Sequence, residues 1–121
     1  MAKSFGETVR SMREARSLGL REAAERLGIS PAYLSRIERG KERPPKPDII
    51  KRMATLLGGD PDLLFRLSES TDPELAEYLH VVPAAARFLR SARTLGLTDD
   101  EYKKLAEEIV EVRRKSSSVT Q

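Results

Sequence analysis

Apolar residues recur along this chain with the period of α-helices, and the pattern predicts eight of them. Phe5, Val9 and Met12 follow i, i+4, i+7, the buried stripe of a first helix from about Ser4 to Ser17, with Ser4 and Glu7 spaced as a capping box. In the stretch LGLREAAERLGISPAYLSRIERG, Ala23, Ala24 and Leu27 mark a second helix stopped by Gly28. Ile29 fills the space under the turn. Ser30 N-caps a third helix, with Pro31 at its first position, where the missing N–H costs nothing. Leu34 and Ile37 face inward on that helix, leaving Ala32, Tyr33, Ser35, Arg36 and Arg39 outward until Gly40 closes it.

The Pro-rich connection KERPPKPD follows and cannot be helical through its middle. A fourth helix, Asp48 to Leu57, buries Ile49, Ile50, Met53, Leu56 and Leu57. Asp60 caps a fifth, Pro61 to Leu67, which carries Leu63, Leu64 and Phe65. Beyond the polar break SESTD, a sixth helix places Leu75, Tyr78 and Leu79 on one side. Pro83 interrupts it or starts a seventh, which turns Phe88, Leu89, Ala92 and Leu95 inward and ends at Gly96. Thr98 and Glu101 form a capping box for the last helix, with Asp99 and Asp100 also at its positive end. Tyr102, Leu105, Ile109 and Val112 on that helix keep a seven-residue repeat. Arg113, Arg114 and Lys115 suit its negative end near Lys115, and residues 116–121 are expected to be disordered.

The expected architecture is all-α: five helices over residues 1–67, a C-terminal helical extension over 68–115, and a short tail. A short helix, a tight turn and a second helix with a small, polar, Arg-bearing outer face form the helix-turn-helix signature. An ordinary antiparallel helix pair would share that spacing. The run GISPAYLSRIERGKERPP decides between them, because it resembles the phage lambda repressor/Cro (XRE) family of transcriptional regulators. That family's recognition helix carries the pattern S-x-x-x-[LI]-S-[RK]-[IW]-E-x-G, matched here by Ser30, Leu34, Ser35, Arg36, Ile37, Glu38 and Gly40. The likeness covers about Ser4 to Leu67. One departure is Leu20, which stands where many members have a phosphate-binding Gln.

The resemblance implies a five-helix lambda-repressor-like DNA-binding domain whose third helix lies in the major groove of double-stranded DNA. Pro31, Ala32, Tyr33, Ser35 and Arg36 are then the base-contacting candidates. An Arg at position 36 can bond guanine O6 and N7 together, and Pro31 and Ala32 can offer apolar contact to a thymine methyl. Tyr33 either contacts DNA or half-packs beside the turn, and Ser35 either reaches DNA or serves as a spacer. Arg36 has an alternative of its own, a solvated pair with a nearby acid. Arg10, Arg21, Ser30, Arg39, Lys41 and Arg43 are the phosphate candidates, which set register without reading sequence. Glu38 is read as structural, and Arg13 and Arg16 as solvated.

Charge agrees with this placement. Residues 1–66 hold 14 Lys/Arg and 9 Asp/Glu, a balance of +5, against 8 and 10, or −2, over residues 67–121. Zero cysteines remove disulfides and thiolate metal sites, and fit a reducing cytoplasm. The start MAKSFGETV has no apolar run of signal-peptide length, and no stretch approaches the roughly 20 apolar residues of a membrane helix. The expectation is a cytoplasmic protein with no membrane partner. His80 is the single histidine and Asp99-Asp100-Glu101 is explained by capping, so no enzyme, metal or cofactor is expected.

The two C-terminal helices have too little apolar material for a core of their own. They either pack back on the first five or pair with a second copy. A homodimer is the preferred reading, with Phe88, Leu89, Leu95, Tyr102, Leu105, Ile109 and Val112 at its seam. The expected function is a dimeric repressor on a pseudo-palindromic operator. The segment from Pro83 to Ile109 also resembles the helical tails of certain XRE repressors. The alternative is therefore an antitoxin or adaptor whose C-terminal helices hold a partner protein, such as a toxin or metallopeptidase, with DNA binding for autoregulation.

Overall fold

The computed structural model describes residues 3–119, and every regular element among them is an α-helix. These are α1 (Phe5–Ala15), α2 (Leu20–Leu27), α3 (Pro31–Glu38), α4 (Pro47–Leu57), α5 (Pro61–Leu67), α6 (Pro73–Val81), α7 (Pro83–Leu95) and α8 (Asp99–Val119). Each start follows from its sequence. Ser4 Oγ accepts the Glu7 amide, Ser30 Oγ the Tyr33 amide and Asp60 Oδ1 the Asp62 amide. Gly28, Gly58 and Gly96 stop α2, α4 and α7 in the left-handed conformation that glycine adopts without a steric penalty. α1 ends in the same geometry on a non-glycine residue: Ser17 lies at φ 53°. Its amide donates to Glu14 O and that of Leu18 to Arg13 O, which satisfies two orphan carbonyls.

The chain divides into two compact units between Glu77 and Tyr78, inside α6. The break expected after Leu67 lies earlier, at the turn that follows α5. In the first unit, Phe5, Val9, Ala24, Leu27, Leu34, Ile37, Ile50, Met53, Leu57, Leu64 and Phe65 form one buried cluster. α2 packs on α3 and α4, α1 on α3 and α4, and α4 on α5. Full burial of each large apolar side chain contributes roughly 1.5–3 kcal/mol. Met12, Ile29, Ile49 and Leu56 border the cluster half-buried. Lys51 of α4 ties down the start of α6 through ion pairs to Asp72 (3.5 Å) and Glu74 (2.9 Å).

The second unit differs from expectation. Only Ala92 is buried among its described residues. Phe88, Leu89 and Leu95, expected inward, are exposed. Leu105, Ile109 and Val112 are exposed too, and Tyr102 is half-buried. At the end of α6, Tyr78 is exposed and Leu79 half-buried; Leu75, in the part of α6 that belongs to the first unit, is exposed as well. These faces carry amphipathic patterns, and their large apolar side chains stay exposed or half-buried. The last helix also runs past Lys115 to Val119, so most of the expected disordered tail is helical; residues 120 and 121 lie outside the described residues. Among the described residues no helix is long and apolar enough to cross a membrane.

Candidate nucleic-acid interface

The site is built on α3, which is held from behind in three ways. Leu34 and Ile37 are sunk into the core. Gly6 of α1 lies directly against the end of α3: a Cβ there would sit 2.2 Å from Ile37 O and 2.9 Å from Glu38 O. Glu38, 7% exposed, accepts two hydrogen bonds from Arg13, Nε–H to Oε2 at 2.8 Å and Nη2–H to Oε1 at 2.9 Å. This forked pair is the geometry in which a guanidinium and a carboxylate bind best. The Glu38 hydrogen bond, with its charge, outweighs burial and holds the Arg13 guanidinium above its ordinary pKa. Arg13 also donates to Leu18 O, and so links α1, the α1–α2 turn and α3.

Arg13 was expected to be solvated, and the structure corrects this. Its position explains why: it lies one turn after Val9 on the buried side of α1, while Glu38 lies one turn after Leu34 on the buried side of α3. Opposite charges on two core-facing stripes were the signal. Arg16 stays exposed, as expected, and also donates to Leu57 O at the end of α4. Arg52 does the same for Leu27 O at the end of α2. These arginines satisfy carbonyls that a helix end leaves open.

The outer face of α3 is presented to solvent. Ala32, Arg36 and Arg39 are exposed, while Pro31, Tyr33 and Ser35 are half-buried. Tyr33 is half-packed: its body lies against the edge of the core, and the Arg36 guanidinium lies over its ring, 6.0 Å from the centroid. Arg36 Nε donates to Glu42 Oε2 at 3.3 Å, the acid pairing raised as its alternative. With about two-fifths of each side chain exposed, that pair is worth no more than about 1 kcal/mol. Arg39 folds back, its Nε donating to Ser35 Oγ at 3.2 Å. Ser30 Oγ caps the helix as an acceptor, which leaves its own O–H able to donate.

Lys41 and Arg43 stand exposed directly after α3, on a loop anchored by buried Pro45. α3 and this loop thus bring together Ser30 to Arg43. Arg10 is exposed on α1 and paired with Glu14 at 2.8 Å, and Arg21 is exposed on α2. Glu42, Gly6 and the Arg13–Glu38 clamp are the features of this site that the sequence pattern did not single out.

A Helix-turn-helix domain family model matches residues 4–67. The chain belongs to that family. The matched residues span α1 to α5. RghR, an HTH-type transcriptional repressor of Bacillus subtilis, is 47% identical over 55 residues, covering 46% of this chain and 41% of RghR. The HTH-type transcriptional regulator Rv0023 of Mycobacterium tuberculosis is 33% identical over 92 residues, 74% of this chain and 36% of its own length. This helix-turn-helix chain therefore spans less than half the length of these curated relatives. Among solved structures, SinR of Bacillus subtilis in complex with DNA aligns at 26% identity and a TM-score of 0.47, over 50% of this chain and 97% of that one.

Proposed function

We propose that this chain is a sequence-specific, double-stranded DNA-binding transcriptional regulator, a dimeric repressor that reads a pseudo-palindromic operator through α3 in the major groove. One observation carries the reading. The inner face of α3 is locked by Gly6, Leu34, Ile37 and the Arg13–Glu38 clamp, while its outer face presents Ala32, Tyr33, Ser35 and Arg36. Such a helix enters a groove without losing any packing.

Arg36 reads a guanine. Its pair with Glu42 is an exposed one, whereas a bidentate guanine contact is worth about 1–3 kcal/mol of discrimination, so the exchange favours DNA. Pro31 and Ala32 give apolar contact, and Tyr33 and Ser35 flank them. Arg10, Arg21, Ser30, Arg39, Lys41 and Arg43 hold phosphates. Two copies place their α3 helices about 34 Å apart, one turn of B-DNA.

Selection from random duplex DNA tests this, followed by titration of the winning sequence against salt with wild type and Arg36→Ala in parallel. A palindromic winner is expected. Arg36→Ala should lower affinity roughly 5- to 150-fold and relax preference at one base pair per half-site. The log–log salt slope should reach several units. No enriched sequence, together with an unchanged Arg36→Ala, would overturn the assignment.

A second reading, an antitoxin or adaptor that captures a partner protein, is favoured by the exposed apolar face of α7 and α8. Removal of residues 72–121 separates the two. A plain repressor loses DNA affinity only, while an adaptor also loses its protein partner.

A further inference from the structure

Glu42 lies between Lys41 and Arg43 in the sequence, yet its ion pair is with Arg36, six residues back. The fold dictates that choice. Gly40, at φ 73°, turns the chain back at the end of α3, and the Lys41 amide donates to Arg36 O at 2.8 Å. The next residue, Glu42, is thereby set beside the Arg36 side chain, whose guanidinium also lies over the Tyr33 ring.

An acid in a surface that meets DNA needs a reason, because phosphates repel it. Its pair with Arg36 is given up when Arg36 takes a guanine. The freed carboxylate can only accept hydrogen bonds. In the major groove the donors on offer are the exocyclic amines of cytosine and adenine. Adenine sets an acceptor, N7, beside its amine, which a carboxylate avoids; cytosine N4–H is the donor that Asp and Glu take. Glu42 Oε2 lies 3.3 Å from Arg36 Nε. That is one base step, since stacked bases along a strand are about 3.4 Å apart.

We infer that Glu42 is a second base-reading residue, which accepts from the N4 amine of a cytosine one step from the guanine that Arg36 reads. Both members of the ion pair change partners together. Arg36 leaves one carboxylate oxygen for guanine O6 and N7, and Glu42 leaves the guanidinium for a cytosine N–H. The carboxylate then keeps a donor inside the groove. This assignment rests on the DNA-reading role proposed for α3 and adds a specificity-determining residue beyond the end of that helix.

The Glu42 side chain is 40% exposed, so Glu42→Ala should fold as wild type does, which circular dichroism checks. Selection from random duplex DNA is run on the full chain, on Glu42→Ala and on Arg36→Ala. Wild type should enrich a guanine with a cytosine one step away in each half-site. Arg36→Ala should relax the guanine. Glu42→Ala should keep the guanine and relax the cytosine.

Titration then compares the winning duplex with one in which that cytosine is thymine, whose O4 acceptor replaces the N4 donor. Wild type should bind the thymine duplex roughly tenfold more weakly. Glu42→Ala should bind the two about equally. A variant that keeps the cytosine preference of wild type would overturn the assignment and leave Arg36 as the reader. Relaxation at the guanine alone would overturn it too, and would make Glu42 a positioning residue for Arg36. If wild type enriches no sequence, the DNA-reading role of α3 falls together with that of Glu42.

Discussion

Leu34 and Leu105 are the same side chain on the same kind of amphipathic helix, yet Leu34 is fully buried and Leu105 is 38% exposed. The difference lies in what each helix has to lie against. α3 meets α1 and α2 at short range, with a glycine at its closest approach and a buried ion pair beside it. α8 has an equally regular stripe, yet none of its described side chains is buried. Periodicity therefore reports that a face wants covering. It does not report whether the cover comes from the same chain.

The largest test of this contrast is truncation on each side. Leu34→Ala removes a fully buried side chain and should cost about 2–5 kcal/mol of unfolding free energy in the first unit. Val110→Ala, at a position 66% exposed and outside the seam, should stay within about 0.5 kcal/mol. Denaturant melts of both variants check this. Equal costs would mean that the exposed face of α8 is covered in solution well beyond the seam.

Glu38→Ala comes next. It strips the partner from Arg13, whose side chain is only 13% exposed, and should cost about 3 kcal/mol. The same truncation at Glu14, a fully solvated ion-pair partner of Arg10, should be close to neutral. A melt in which the two variants coincide would remove the clamp from the account of how α3 is held.

Gly6→Ala should follow at about 1–3 kcal/mol. The gain in helix propensity is outweighed by a methyl carbon forced against Ile37 O and Glu38 O, which pushes α1 off α3. DNA affinity should fall with it, since the displaced helix end carries Arg39 and leads to Lys41. A variant as stable as wild type would show that α1 can shift without disturbing α3.

These residues also mark how far the sequence can be read. The helices, caps and glycine stops were legible because each has a local cause: a side chain at a fixed offset, or a position that needs φ > 0. So was the outer face of α3, through its motif. Gly6 was not, because nothing in FGETV shows that another backbone passes within van der Waals contact. Arg13 and Glu38 lie 25 residues apart, and only the packing of α1 on α3 brings them together. Tyr102 and Leu105 were legible as apolar and illegible as to destination. Helix ends showed the same limit. Lys115 looked terminal, yet Ser116, Ser117 and Ser118 continue α8, since a polar run without Gly or Pro does not force a stop.

The smallest expected effect concerns the cap of α8, and it distinguishes the units by pH. Glu101 accepts from the backbone N–H of Thr98 at 3.0 Å and from its hydroxyl at 3.1 Å. The backbone bond first, and then the hydroxyl, holds its carboxyl below the ordinary 4.5. A depressed folded value means that the folded helix end binds its proton less readily than the unfolded one. The stabilisation is therefore complete above pH 4.5 and is lost as pH falls through the depressed value. Because Glu101 is solvent-exposed, the loss should fray only the first turn of α8 and leave the core of α1 to α5 intact. Amide exchange at Thr98 and Glu101 should then accelerate below pH 4.5, once the intrinsic pH dependence is divided out, with no matching change at Leu34. Acceleration at Leu34 over the same range would mean that the two units do not open independently.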